Sequence, residues 1–340
     1  MKLVHTAISR QFFGSERYCA ELASAQAEHG DEVFVLAGCS TPLAEEKWRR
    51  ELDPRVHLLF PPLWLPAALV AWWIGVTLLR IRPDIVHLHL LKGTRLMAVW
   101  KRLLKFRLFA TLHVSYRKKY YSACDGIILV TESQRETLGD YAGRVVKVWN
   151  WVNPRHLRSG AAAPADFRNS VGATDEDFLF VSVGRLTHVK GMDVLIEAFK
   201  EAFQEMPKAR LVLIGDGPES ERLTRLIDGD PRIVLAGYRD AGPEVYGGVD
   251  VYVSASKFEP FGLTILEAMA SGCPLVLTRT IGPQEFLASE ASVLWSEVND
   301  VGGLAHSLTQ AYRRGKGRTA YNVALFSLDT AVEKIAQFYG

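Results

Sequence analysis

The sequence predicts an α/β chain of two doubly wound domains, each a parallel sheet with helices on both faces, and three observations predict it. Short apolar runs alternate with amphipathic segments along most of the chain, the pattern of successive βα units. A length of 340 residues exceeds one ordinary domain and fits two. Charge divides the chain: residues 1–160 carry 23 Lys and Arg against 14 Asp and Glu, a net +9, whereas residues 161–340 carry 17 against 24, a net −7. With 48% hydrophobic and 23% charged residues the composition excludes a disordered or fibrous chain.

In the first half the strands are expected at Leu3–Ala7, Glu32–Ala37, Ile85–Leu88, Phe109–Leu112, Gly126–Val130 and Val145–Trp149. In the second half they are expected at Phe178–Gly184, Arg210–Ile214, Ile233–Ala236, Val249–Ser254 and Pro274–Thr278. Between the halves, Asn153 to Ser170 is rich in Ala, Pro and Ser without periodicity and reads as a linker. The expected domains are residues 1–155 and 156–321, followed by a final helix over 322–340. Two facing parallel sheets would direct the C-terminal ends of their strands, where ligands bind, toward a common cleft.

Cys19, Cys39, Cys124 and Cys273 are scattered without metal-ligand spacing, so neither a disulfide framework nor a zinc site is expected, and reducing cytoplasm is the default compartment. The first ten residues, broken by His5 and Arg10, lack the apolar core of a signal peptide. Leu58 to Leu79 is uncharged, but Pro61, Pro62 and Pro66 leave only Ala67 to Leu79 for an uninterrupted helix, too short to span a bilayer. Two readings stay open for it: a helix buried in the domain, or one lying in a membrane interface with Trp64, Trp72 and Trp73 at headgroup depth.

Between Asp84 and Asp125 there is no acidic residue and there are nine basic ones: Lys92, Arg95, Lys101, Arg102, Lys105, Arg107, Arg117, Lys118 and Lys119. The interleaved aromatics are Trp100, Phe106, Phe109, Tyr116, Tyr120 and Tyr121. Such a run suits an anionic lipid leaflet or a phosphorylated acceptor, or it is a solvated face. Nucleic acid is not expected, because no nucleic-acid motif accompanies the charge.

Three stretches in the second half carry chemistry. Val181 to Phe199 ends a strand at Gly184 and opens a helix near Lys190, so that Arg185, Lys190 and a helix N-terminus make a seat for a diphosphate. Gly215-Asp216-Gly217-Pro218 forms a tight turn after a buried strand, over which a base or ribose fits. Lys257 to Val276 places Glu259 in a loop, Gly262 and Leu263 at a helix start, and Glu267 further into that helix. A carboxylate accepts paired hydrogen bonds from vicinal diols, so two carboxylates flanking a helix N-terminus suit a sugar and a ribose.

The segment from Glu259 to Gly272, preceded by Gly184-Arg185-Leu186 and Lys190-Gly191, resembles the signature of the retaining GT-B glycosyltransferases of family 4, which have two Rossmann-like domains facing across a cleft. Asp84–Gly93, Ala110–Tyr116, Leu129–Leu138 and Asn150–Leu157 also resemble family landmarks, so the likeness covers nearly the whole chain. The resemblance implies that Arg185 and Lys190 grip the diphosphate of a nucleotide-sugar, and that Glu259 holds hydroxyls of the transferred sugar. It likewise implies that Phe261, Gly262 and Leu263 offer backbone amides, that Glu267 binds the ribose, and that His113 faces the reacting sugar. The final helix in this family crosses back to the first domain. One departure stands out: the first loop has Phe12-Phe13-Gly14-Ser15-Glu16 where the family has two adjacent glycines. Gly14 is then the remaining donor-side glycine, and Glu16 either orients the acceptor or caps the helix.

His87 and His89 alternate in an apolar strand, which suggests that one of them faces the core; His89 is the acceptor-side candidate. Asp175-Glu176-Asp177 and Asp228-Gly229-Asp230 match a cation-binding D-x-D pattern but read as solvated turns. No cofactor and no metal are therefore expected, since the Arg185 and Lys190 seat does a cation's electrostatic work.

The implied activity is transfer of a sugar from a nucleoside diphosphate to an acceptor hydroxyl with retention. The implied acceptor is a glycan or glycolipid of bacterial lipopolysaccharide or another cell-surface glycan. The implied location is cytoplasmic, at the inner-membrane face, with peripheral contact to anionic lipid. The alternatives are a nucleotide-sugar epimerase on the same architecture and a non-catalytic nucleotide-sugar-binding protein.

Overall fold

The computed structural model describes residues 1–9, 12–38, 41–62, 64–90, 94–114, 116–152, 164–239 and 243–340. They form two compact units: Met1–Asn150 with Phe326–Gly340, and Trp151–Leu325.

The first unit is a seven-stranded parallel sheet built from β1 (Lys2–Ala7), β2 (Glu32–Ala37), β3 (His57–Leu59), β4 (Ile85–Leu88), β5 (Arg107–Leu112), β6 (Gly126–Leu129) and β7 (Arg144–Lys147). Its order is β3-β2-β1-β4-β5-β6-β7. Helices α1 (Gly14–Glu28), α2 (Pro42–Glu51), α3 (Ala67–Ile81) and α4 (Thr94–Leu104) connect the strands. β4 and β6 are buried along their whole length and β5 at every residue but Arg107, because a parallel sheet covered on both faces demands continuous apolar runs. The last helix, Leu328–Tyr339, belongs to this unit; Tyr339 is fully buried and its hydroxyl lies 2.6 Å from His87 Nδ1.

The second unit is a six-stranded parallel sheet of β8 (Phe178–Val183), β9 (Ala209–Ile214), β10 (Ile233–Leu235), β11 (Val251–Ser254), β12 (Leu275–Thr278) and β13 (Leu294–Ser296), in the order β10-β9-β8-β11-β12-β13. Its core joins Phe178, Phe180, Phe199 and Phe203 with Leu304 and Leu308, as the helices Met192–Ala202 and Val301–Arg314 cover one face. Each fully buried side chain of this size contributes about 1.5 to 3 kcal/mol.

Several expectations change. The segment expected as a linker contains the helix Pro164–Ser170, while 153–163 lies outside the described residues. Pro164 presets a helical φ at the first position, and the buried Arg168 guanidinium donates to the carbonyls of Thr174, Asp177 and Gly248, which ties the helix to the second unit. The three-residue edge strands β3 and β13 are additions to the expected set.

His87 and His89 do not split between core and surface. Residues two apart on a strand share a face, and both are buried with rings 4.4 Å apart. Of the aromatics in the basic run, Phe106, Phe109 and Tyr121 are buried and Trp100 packs on the core, so they do not line a surface. Asp177 is buried rather than solvated: it accepts from the Thr174 amide at 2.7 Å and pairs with Arg210 at 3.2 Å. Asp230 pairs with Arg232 at 2.6 Å. Both D-x-D segments thus anchor turns.

Cys19, Cys124 and Cys273 are free and buried, and Cys39 lies outside the described residues. Among the described residues no helix is long and apolar enough to cross a membrane.

Candidate active site

The six-stranded sheet reverses direction at its centre: the chain steps outward from β8 through β9 to β10, then resumes on the other side of β8 with β11, β12 and β13. The C-terminal ends of the strands at such a reversal are where doubly wound sheets bind ligands. All ten candidates of the second half lie on the loops leaving β8, β9 and β11 or in the helix that follows β11.

Gly184 and Arg185 leave β8 directly, and Arg185 is exposed. Main-chain bonds lock three successive loops together: Gly184 N–H to Ile214 O at 2.9 Å, Leu186 N–H to Asp216 O at 2.9 Å, and Gly215 N–H to Gly237 O at 2.8 Å. The glycine this packing demands is Gly215, not Gly184. Gly215 has φ +146°, and a Cβ there would sit 1.9 Å from the Gly184 carbonyl oxygen, whereas a Cβ on Gly184 would meet Lys190 at an ordinary 3.5 Å. Asp216 is exposed and accepts from the Gly217 amide at 2.7 Å.

The helix expected near Lys190 begins later: a 3-10 turn, His188–Lys190, precedes the helix Met192–Ala202. Gly191 joins them at φ +62°, where a Cβ would lie 2.0 Å from Ala255 O, and the Lys257 amide donates to Val189 O at 2.7 Å. These contacts press the turn against the end of β11. Lys190 is thereby seated beside Glu259, and Nζ donates to Oε2 at 2.5 Å.

Glu259 is buried, and its carbonyl accepts from the Gly282 amide at 3.0 Å, which fixes the loop that follows. Phe261 is buried with its ring 5.1 Å from Phe286. Gly262, at φ +98°, opens the helix Leu263–Ala270, whose N-terminus carries no side-chain cap among the described residues. Amides at such an end favour an anionic or hydroxylic partner. Glu267 lies inside this helix, buried, and its Oε2 accepts from Tyr246 OH at 2.8 Å. The arrangement offers two cations, two carboxylates and a helix N-terminus at the C-terminal ends of the central strands, a chemistry matched to a sugar joined to a diphosphate.

The remaining candidates belong to the first unit. Gly14 is the first residue of α1, and Glu16 is buried with its carboxylate accepting from the Phe13 amide at 3.1 Å, a helix-capping contact. His89 and His113 lie just past the ends of the adjacent strands β4 and β5. His89 is buried within an imidazole stack that includes His5 and His87, with the half-buried His113 ring 5.9 Å beyond. Burial lowers the pKa of His113 and of His5 to about 4, and holds His87 and His89 well below the usual imidazole range.

The ring nitrogens of His5, His87 and His89 lie within 4.8 Å of one another, a spacing that could gather a cation. Among the described residues hydrogen bonding engages both nitrogens of His5 and His87 and Nε2 of His89: His5 with Gln26 and His89, and His87 with Tyr339 and Thr111, which leaves only His89 Nδ1 without a partner. A cation would have to break those bonds.

Sequence reasoning missed His5, Gln26, Tyr246 and Tyr339. His5 had a signal, because β1 pairs with β4 in a register that sets His5 opposite His87. The other three are helix residues whose partners are chosen by packing.

The model of Glycosyltransferase Family 4 matches residues 13–156, and that of Glycosyl transferases group 1 matches residues 177–314. The lipopolysaccharide core biosynthesis glycosyltransferase LpsE of Rhizobium meliloti is 27% identical over 326 residues, covering 94% of this chain and 91% of its own. LpsD of the same organism, described in the same terms, is 24% identical over 316 residues, covering 91% and 87%. Among solved structures, Anabaena HepE in complex with UDP and glucose superposes with a TM-score of 0.83 at 18% identity, covering 99% of both chains. The chain therefore belongs to the glycosyltransferases, with a Family 4 domain in its first half and a group 1 domain in its second, on the GT-B type of fold.

Proposed function

We propose that this glycosyltransferase moves a sugar from a nucleoside diphosphate, with UDP as the first candidate, to a hydroxyl of a lipopolysaccharide-core or related glycan, with retention at the anomeric carbon. The pairing of Lys190 with Glu259 at the sheet reversal, beside Arg185 and Glu267, carries this proposal. The names of LpsE and LpsD support the acceptor class, and the UDP complexes of HepE support the donor class.

In this reading Arg185 and Lys190 stabilise charge developing on the departing diphosphate, so no cation is required. Glu259 binds hydroxyls of the transferred sugar, Phe261, Gly262 and Leu263 offer main-chain amides, and Glu267 binds the ribose. His113, kept neutral by burial, faces the reacting sugar without competing for the anion. The acceptor attacks on the face from which the diphosphate leaves, and the phosphate oxygen takes the hydroxyl proton. Incubation of UDP-, GDP- and ADP-sugars with a deep-rough lipopolysaccharide tests the proposal. A glycosylated product of retained anomeric configuration is expected, and epimerised donor in the absence of acceptor would contradict it.

The same reading puts the enzyme at the cytoplasmic face of the inner membrane, held there peripherally. Supporting residues are Trp64, 84% exposed, and, on α3, Trp72, 63% exposed, together with Val99 and Leu103 exposed on α4. Arg80, Arg102 and Lys105 are exposed along the same segments, whereas Trp73 packs on the core. Co-sedimentation with anionic liposomes should fall as salt rises, and Trp64→Ser with Trp72→Ser should weaken it further. Co-sedimentation indifferent to both would remove the membrane from the account.

A further inference from the structure

The seven-stranded sheet has its own reversal, between β1 and β4, and buried imidazoles gather there. Their proton positions follow from one fact: the oxygen of a glutamine amide only accepts. His5 Nε2 lies 2.7 Å from Gln26 Oε1, so Nε2 carries the proton and a neutral His5 offers a bare Nδ1. His89 Nε2 lies 2.9 Å from that Nδ1 and must donate to it, which leaves a neutral His89 with a bare Nδ1.

That nitrogen is buried and has no hydrogen-bond partner among the described residues. Two further buried polar atoms at the ends of neighbouring strands also lack one, Thr6 Oγ1 on β1 and His113 Nε2 just past β5. His89 itself is held at the reversal by its amide, which donates to Thr6 O at 3.1 Å. A buried acceptor left unmet costs about 1 to 3 kcal/mol, so such a group persists where a partner arrives to satisfy it.

We infer that His89 Nδ1 is the hydrogen-bond acceptor for a hydroxyl of the glycan acceptor, and that Gln26 and His5 are positioning residues that hold His89 in the accepting tautomer. The inference rests on the transfer reading above and assigns a recognition element to it. His89 binds the hydroxyl without taking its proton, since burial disfavours the imidazolium. An acceptor-only nitrogen selects a free hydroxyl over a methylated or deoxygenated position. An ordered water is the other source of an O–H group.

Nuclear magnetic resonance of the full chain labelled with [15N]histidine reads each tautomer directly. His5 and His89 are expected to be protonated at Nε2 and bare at Nδ1. Adding the deacylated core oligosaccharide of a deep-rough lipopolysaccharide is expected to move His89 Nδ1 toward a hydrogen-bonded shift. His89 protonated at Nδ1 overturns the inference, and so does a His89 Nδ1 signal that the oligosaccharide leaves unmoved, whether bare or already bonded to a fixed water.

Kinetics supply the second arm. Gln26→Leu should raise KM for the oligosaccharide roughly tenfold while leaving KM for UDP-glucose within about twofold, and Gln26→Glu, which only accepts in its ionised form, should stay near wild type at a pH where that carboxylate is ionised. A purely structural role would lower kcat in both variants alike, which also overturns the assignment. If the tautomers and the oligosaccharide shift are as stated but the wild type transfers from no sugar nucleotide, the transfer reading fails and the hydroxyl-binding role of His89 stands.

Discussion

Lys190 Nζ donates to Glu259 Oε2 at 2.5 Å, which joins the loop after β8 to the loop after β11 through one charge-assisted contact. Lys190→Ala should therefore act twice. It removes a cation from the diphosphate seat, lowering kcat by about 100-fold, and it leaves the buried Glu259 carboxylate without its partner, costing about 2 kcal/mol. Glu259→Gln should largely restore the stability of the double variant and not its turnover. A double-mutant cycle with no coupling in stability would show that the two side chains act separately.

Tyr246 OH donates to the Glu267 carboxylate at 2.8 Å within the core, 21 residues away in sequence. Tyr246→Phe should weaken UDP-sugar binding by about three- to tenfold, as expected for one hydrogen bond that orients a ligand-binding carboxylate. Glu267→Ala should weaken it further, with kcat at saturating donor changed less than affinity. Titration calorimetry on the two variants checks the order, and equal affinity in Tyr246→Phe and wild type would contradict it.

Two neighbouring glycines make unequal demands. Gly215→Ala forces a left-handed backbone and a Cβ 1.9 Å from the Gly184 carbonyl oxygen, so it should destabilise the second unit by several kcal/mol, about 3 or more. Gly184→Ala meets only the Lys190 stem at 3.5 Å and should fold normally. Denaturant unfolding of both proteins measures the difference, and similar midpoints would contradict the packing described.

Burial holds His5 and His113 at about 4, below the ordinary 6.5, so the folded first unit refuses protons that the unfolded chain accepts. The stability they contribute is complete above about pH 6.5 and is lost progressively as pH falls through about 4. For His5 the loss amounts to about 3 kcal/mol. Urea midpoints should fall across that window in wild type and fall less steeply in His5→Gln. A midpoint independent of pH between those limits would contradict the burial of neutral imidazoles.

What the sequence discloses follows the physics of each element. Central strands of parallel sheets are continuous apolar runs, so β8 and β11 are legible at once, while the three-residue edge strands His57–Leu59 and Leu294–Ser296 are too short to stand out. The helix Pro164–Ser170 hides in an Ala- and Pro-rich stretch because its hold on the domain is the buried Arg168, whose carbonyl partners lie outside the helix, two in the following turn and one, Gly248, far along the chain. Arg185, Lys190, Glu259 and Glu267 are legible because strand, glycine turn and helix start recur around them. Tyr246 and Gln26 are not, since each sits in a helix and meets its partner only after packing.

The most direct measurement is calorimetric titration of UDP-glucose into the wild-type protein and into Lys190→Ala and Glu267→Ala. One site per chain is expected in the wild type, with affinity at least about tenfold weaker in each variant. Undiminished affinity in both variants would contradict the assignment of the donor to the loops after β8 and β11.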